Sequence, residues 1–270
     1  MRWGQVKLIL IAALLLVNLA MFSLLVSDYQ KEHYIDATYV EEAVPLLAAR
    51  GVEVAVEAVP RLKCSMSTQR LTPAGAQMTN FLHAVLGEKG EFQPVTEYQN
   101  EYGSYQTEDY FSFSVTFTEG YPENFHRIGE VADFFERAIG AEEFELMPEN
   151  VRREGDHRVV RFREYAREVQ IEGCYLDATL EGGMLQEVRG KLVLDTRIAS
   201  PSQGTRNAVD ALFDLADYLG GQQVVVSSVQ PILSVYRNTW GTYNSAPVYL
   251  IRSRGGLTYR VNSDGEVSLG

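Results

Sequence analysis

From Leu8 to Val26 the chain carries no charged residue: LILIAALLLVNLAMFSLLV. A helix of that length rises roughly 28 Å, about the thickness of a bilayer's hydrocarbon core. Whatever follows such a segment must fold beside a membrane. Arg2 and Lys7 precede the run, and Asp28, Lys31 and Glu32 follow it. A short basic flank is retained in the cytoplasm, which places the rest of the chain outside. The run exceeds the apolar core of a cleaved signal peptide. Its exit, Leu24-Leu25-Val26-Ser27-Asp28, offers neither a small-x-small site nor a nearby cysteine for lipid attachment. The expectation is an uncleaved single-pass anchor in the plasma membrane. Residues 1–7 form a cytoplasmic tail, 8–27 the transmembrane helix, and everything from residue 28 an extracytoplasmic body.

Two features of the helix bear on partners. Ala13, Leu16, Ala20, Ser23 and Ser27 recur at three- and four-residue spacing, a stripe along which another helix can approach closely. Asn18 places a polar amide near mid-membrane, where it seeks a hydrogen-bond partner. At 100° per residue it faces nearly opposite Ala20. The segment reads either as a helix touching partner helices on two sides, through Ala13, Ala20, Ser23 and Asn18, or as a plain anchor with incidental small residues.

The whole chain is 46% hydrophobic and 22% charged, the balance of a globular protein rather than a disordered one. Its net charge of −12 argues against a nucleic-acid partner, since phosphates repel an acidic body. Cys64 and Cys174 are too few for a disulfide framework. They read as one bond or as two buried thiols.

The pattern of the body is α+β. Thr38-Tyr39-Val40-Glu41 reads as a capping box opening a helix that stops by Gly51, with Pro45 inside it. Val52–Val59 alternates as a strand does. Thr72-Pro73 opens a helix that Gly87 ends. A tyrosine-rich stretch (Tyr98, Tyr102, Tyr105) reads as a loop or irregular hairpin. Phe111, Phe113, Val115 and Phe117 then share one face of a strand, opposite Ser112, Ser114, Thr116 and Thr118. An amphipathic helix follows from Ile128 to Ile139 and ends at Gly140. Strands are predicted at Val159–Val169, Cys174–Leu180 and Val188–Thr196. A second helix runs from Ala208 to Leu219, before strands at Val224–Tyr236, Val248–Ile251, Leu257–Val261 and Glu266–Leu269, the last two joined by an Asp264-Gly265 turn. Helix-then-antiparallel-meander thus occurs twice. We expect an N-terminal α+β portion at 28–124, a helix-plus-meander module at 125–199, and a C-terminal one at 200–270 resembling PepSY-type modules.

Catalytic signatures are missing. The chain has no G-x-S-x-G, H-E-x-x-H, C-x-x-C, P-loop or G-x-G-x-x-G motif, and His33, His83, His126 and His157 are scattered. No catalytic residue, metal ligand or cofactor is expected. Asn262-Ser263-Asp264-Gly265 starts like a calcium loop but lacks its twelfth-position glutamate. One basic stretch departs from the acidic background: Arg152, Arg153, Arg158, Arg161, Arg163 and Arg167. Arg161, Arg163 and Arg167 share a strand face. That face is either solvated and paired with Glu164 and Glu168, or a docking surface for an acidic partner or anionic wall polymer.

Several motifs together resemble the YycI (WalI) family. They are Trp3 and Lys7 before an apolar run containing Val17-Asn18-Leu19, then Arg50-Gly51-Val52-Glu53-Val54, and Ala246-Pro247-Val248-Tyr249-Leu250-Ile251 followed by Gly256-Leu257-Thr258-Tyr259-Arg260-Val261 and Asp264-Gly265-Glu266-Val267. The resemblance covers the whole layout: a short tail, one membrane helix and a body of related helix-plus-sheet modules. It implies a membrane-anchored, non-enzymatic regulator in Gram-positive bacteria. With a YycH-like sister protein, such a regulator contacts the WalK (YycG) sensor histidine kinase and adjusts its control of cell-wall metabolism, in part through membrane helices. The chain departs from the pattern in its Tyr98–Asp109 stretch and its arginine-rich segment. The other reading is a membrane-anchored module that binds wall polymer or peptide.

Overall fold

The structure is a computed structural model. It describes residues 3–65, 69–72, 82–86, 97–107, 112–121, 123–140, 144–166, 168–193, 195–198, 205–237, 239 and 243–270. The fold is mixed α+β. Its long N-terminal helix α1 (Trp3–His33) is the one described helix long and apolar enough to cross a membrane. The body divides into two compact units that interleave along the chain. The first comprises residues 1–65, 204–230 and 249–270, the second 66–203 and 231–248.

In the first unit, α2 (Ala37–Ala49) is capped by Asp36, not by Thr38 as the sequence suggests. The Asp36 carboxylate accepts the Thr38 N–H at 2.9 Å and its hydroxyl at 2.7 Å. The helix continues through Pro45 and closes at Arg50, with Gly51 in left-handed backbone (φ 93°). The strand predicted at Val52–Val59 shrinks to β1 (Val52–Glu53), after which Val56–Ala58 turns as a 3-10 helix. Val52, Val54 and Val59 are still buried, so the apolar alternation marks core contacts rather than strand length. Next come β2 (Cys64–Ser65), β12 (Thr205–Arg206) and helix α4 (Ala208–Leu219). Asn207 caps α4 by accepting the N–H groups of Val209 and Asp210, and Gly220 ends it at φ 57°. The unit also contains the first part of β13 (Val224–Arg237), the end of β14 (Tyr243–Ser253), and β15 (Thr258–Val261) with β16 (Val267–Leu269). β1 runs parallel to β13 through Val52–Val224 and Glu53–Val225, and β12 pairs β2. Helix α4 packs on α2, β1, β15 and β16. Its buried face is the predicted one, with Val209, Leu212, Leu215 and Ala216 inside.

In the second unit, β3 (Gln69–Thr72) precedes β4 (Glu97–Gln99), β5 (Gly103–Thr107) and β6 (Ser112–Phe117). Helix α3 (Ile128–Ile139) leads into β7 (Phe144–Glu154), β8 (His157–Ala166), β9 (Val169–Glu181), β10 (Met184–Lys191) and β11 (Asp195–Ile198). The strands lie in the order β7-β8-β9-β10-β6-β5-β4, each antiparallel to its neighbour. Phe113, Val115 and Phe117 face the core as the sequence predicts, and Phe111 lies outside the described residues. They meet Val131, Phe134 and Phe135 of α3 and Val160, Phe162, Leu176 and Leu180 of the sheet. The tyrosine-rich stretch is a true hairpin. Asn100 accepts N–H groups from Tyr102 and Gly103 at its turn, Tyr105 is core, and Tyr98 packs against that core. The helix predicted from Thr72 is described only at 82–86, where Leu82, Val85 and Leu86 are buried.

The sequence reading misses β7 altogether and predicts purely antiparallel meanders. Among the described residues two pairings are parallel: β1 with β13, and β13 with β9 through Ile232–Gln170 and Leu233–Ile171. The predicted boundaries at 28, 125 and 200 run in chain order. The compact units instead combine distant segments.

Candidate partner-contact surfaces

Helix α1 presents Ala13, Asn18, Ala20 and Ser23 as exposed side chains, and Ser27 as a half-buried one. Near its end the His33 ring stacks on Tyr29 at 4.2 Å, and Nδ1 lies 3.0 Å from the Tyr29 carbonyl. That contact explains one of the scattered histidines locally. Among the described residues no three histidine, cysteine or acidic side chains are placed to share a metal ion. The Asn262 stretch is a hairpin loop. The Asn262 side chain accepts the N–H groups of Asp264 and Glu266, using the oxygen that a calcium loop would offer to the ion.

On the arginine face, Arg161 and Arg163 are paired with acids other than Glu164. Arg161 donates to Asp177, its cross-strand neighbour in register, with Nε 2.7 Å from Oδ1, and its guanidinium lies 4.7 Å above the Tyr175 ring. The Asp177 carboxylate raises the Arg161 pKa further. Arg163 is paired with Glu149 of β7, Nη2 to Oε1 at 3.0 Å. Arg167 lies outside the described residues. Glu164 does not serve this face: it alternates with Arg163, shares parity with Val160 and Phe162, and is buried.

Among the described residues of the second unit, burial makes Glu164 the most perturbed carboxyl. It is pushed up to about 8 by the loss of water, against the Val193 N–H that donates to Oε2 at 2.9 Å and a hydrogen bond with the Cys174 thiol. The other oxygen, Oε1, has no hydrogen-bond partner. Cys174 is raised well above the ordinary thiol range by burial and by Glu164 beside it. Both cysteines are free and buried. In the first unit Cys64 is raised by burial and hydrogen-bonds with Tyr249, whose hydroxyl also donates to the Arg206 carbonyl at 2.9 Å. Raised thiols are poor nucleophiles, so both cysteines behave as core residues. Sequence parity with Phe162 was the available signal for Glu164; nothing in the sequence ties Cys64 to Tyr249.

The first unit also has a shallow groove of about 390 Å³, lined by Val54, Ala55, Ala58, Val226 and Ser227 together with the exposed Glu53 and Arg254.

No family model and no curated protein matches the chain. Among solved structures, it is similar to an uncharacterized protein from Eubacterium rectale at 9% identity and a TM-score of 0.41, over 81% of this chain and 86% of that one. It is also weakly similar to the YpeB C-terminal domain from Bacillus megaterium at 13% identity and a TM-score of 0.32, over 74% of this chain and 98% of that domain. Likenesses this distant assign neither a family nor an activity.

Proposed function

We propose that this protein is a non-enzymatic, membrane-anchored regulator of a sensor histidine kinase of the WalK (YycG) type, acting in cell-wall metabolism. It works through contacts of its transmembrane helix and of an extracytoplasmic body, beside a YycH-like sister protein. The observation that carries the reading is α1, a continuous helix whose apolar run exposes a polar amide at Asn18 and small residues at Ala13, Ala20 and Ser23. Such a helix is equipped to pack against other membrane helices as well as to anchor. The YycI-like motifs at Val17-Asn18-Leu19 and in the C-terminal strands support the same reading, with the body outside the cytoplasm. The decisive measurement is purification of the tagged full-length protein from native membranes under mild detergent. A histidine kinase should accompany it, and deletion of the gene should change wall-hydrolase expression. Clean purification without a kinase, together with unchanged hydrolase expression, would reject the proposal.

A second reading, a binding module for wall polymer or peptide, draws on the groove beside Glu53 and Arg254. Opposite charges at one small groove suit a zwitterionic chain end. Retention of the full-length protein on purified cell walls, lost on Arg254→Ser, would favour it over the first.

A further inference from the structure

We propose that the β7–β8 hairpin is the docking site for an extended acidic segment of a partner protein, which adds as a strand to the open edge of β7. The inference rests on reading the body as a protein-contact module, and it names the chemistry of the partner.

One line of support is the backbone. β7 pairs with β8 on one side and, among the described residues, with no strand on the other. Its inner end is closed: the Leu146 N–H donates to the Glu136 carboxylate of α3 at 2.8 Å. Beyond it, every residue from Met147 to Glu154 is exposed, including Met147 at 41% and Val151 at 44%. Alternate residues of an antiparallel strand turn their N–H and C=O groups outward, so an unpaired edge is a template for another strand. Pro148 lacks an N–H, and the register slips between Pro148 and Asn150. That device blunts the middle of the edge and leaves 150–154 regular.

The other line is charge. Arg153 and Arg158 are directly opposite each other in the ladder. Opposed side chains start roughly 4.5–5.5 Å apart at Cβ, and like charges there destabilise the pair. Among the described residues neither these two nor Arg152 forms an ion pair, whereas Arg161 and Arg163 have Asp177 and Glu149. Glu154 precedes the turn and Asp156 lies in it, and neither forms an ion pair with them. The molecule as a whole carries −12, whereas residues 152–158 hold three arginines against two acids, so the tip is a local reversal of sign. Arg153 shares a face with Val151, and Arg152 lies on the other face. An added strand would therefore meet a cation on each side, which suits acidic residues spaced along an extended peptide. An anionic lipid or wall polymer would use the charge but has no use for the edge, so the two observations together favour a peptide.

The test uses the full-length protein in nanodiscs of zwitterionic lipid and a fluorescein-labelled octapeptide in which pairs of glutamates alternate with pairs of valines, which puts acids on both faces of an extended strand. Binding is read by anisotropy. We expect saturable binding that weakens as salt rises. It should fall about tenfold or more in R153S/R158S, the coupling expected for close charge pairs. The same peptide N-methylated at alternate amides should not bind. Circular dichroism of R153S/R158S checks its fold, and relief of the opposed charges should leave its melting temperature equal or higher. Should that variant misfold, R152S is the second: weaker binding supports the site, unchanged binding opposes it. Absence of peptide binding, equal binding of the N-methylated peptide, or full competition by a glycerol-phosphate oligomer at equal charge overturns the proposal. If the peptide binds but no kinase co-purifies, only the kinase reading fails. If a kinase co-purifies but the peptide does not bind, only this docking site fails.

Discussion

A carboxyl group enclosed by protein and given one backbone N–H is most stable when it keeps its proton. Glu164 is in that position, with a folded-state pKa of about 8 against 4.5 for an exposed glutamate. In the unfolded chain the group loses its proton above about 4.5, while in the folded chain it holds it to about 8. The unfolded state therefore binds fewer protons throughout that window, and folding stability declines as pH rises through it. The loss at pH 8 and above is on the order of a few kcal/mol. Glu164→Gln keeps the shape and an acceptor for Val193 but cannot ionise. It should melt higher than wild type at pH 8.5, and the gap should close towards pH 4.5 in paired thermal melts. An equal gap at both pH values would remove the buried acid from the account. A second residue-scale prediction concerns close approach. A Cβ at Gly103 would lie 2.2 Å from the Thr116 carbonyl oxygen across the β5–β6 ladder. Gly103→Ala must part the strands, at a cost of about 1–3 kcal/mol in unfolding free energy, read from denaturant titration. Gly103 stands in a polar stretch, where sequence gives no hint of the strand opposite.

Elements whose signal is local were legible, and those supported from outside were not. Helix α3 carries its own apolar stripe and its own stops, with Glu130 accepting the Arg127 N–H at 3.1 Å and Gly140 at φ 67°. The stripe and the Gly140 stop follow from sequence, and the Glu130 contact is added by the structure. β7 carries Glu149, Asn150, Arg152, Arg153 and Glu154, exposed on both faces, and is a strand because β8 supplies its ladder. No period-2 pattern survives in such a segment. The cap of α2 fell between these cases, since Asp36 and Thr38 are both good capping residues and geometry chose the aspartate. Asp36→Ala should lower stability in chemical denaturation, and Thr38→Val should lower it less; the reverse order would restore Thr38 as the cap. For α1 the prediction is association. Asn18→Leu and Ala20→Leu should each weaken helix–helix pairing in a membrane two-hybrid assay against the co-purified partner, by roughly 1 kcal/mol. Loss from only one of them would reduce the two contact faces to one.

At the scale of the whole molecule, residues 200–270 look self-sufficient: an amphipathic helix, four strands and clear turns. Their hydrophobic pattern says what must be buried but not by whom, and long-range pairing leaves no trace in one sequence. For the part of this fragment that lies in the first unit, the structure supplies the missing partners from residues 34–65. Val224 and Val225 pair in parallel with Val52 and Glu53, and Arg206 pairs with Cys64. Arg50 reaches Asp217 of α4 at 3.1 Å and lies over the Phe213 ring. Cys64 hydrogen-bonds with Tyr249. The fragment alone would expose the α4 face that α2 covers, and would lose the strand beside Val224. Burying less apolar surface without losing less chain entropy leaves a small domain below the threshold for folding. A purified 200–270 fragment should therefore show no cooperative melt and little amide-exchange protection. Adding a peptide of residues 34–65 should restore both. A sharp melt of the fragment alone would mean that the C-terminal module folds by itself, and that the segments before it dock onto a finished unit.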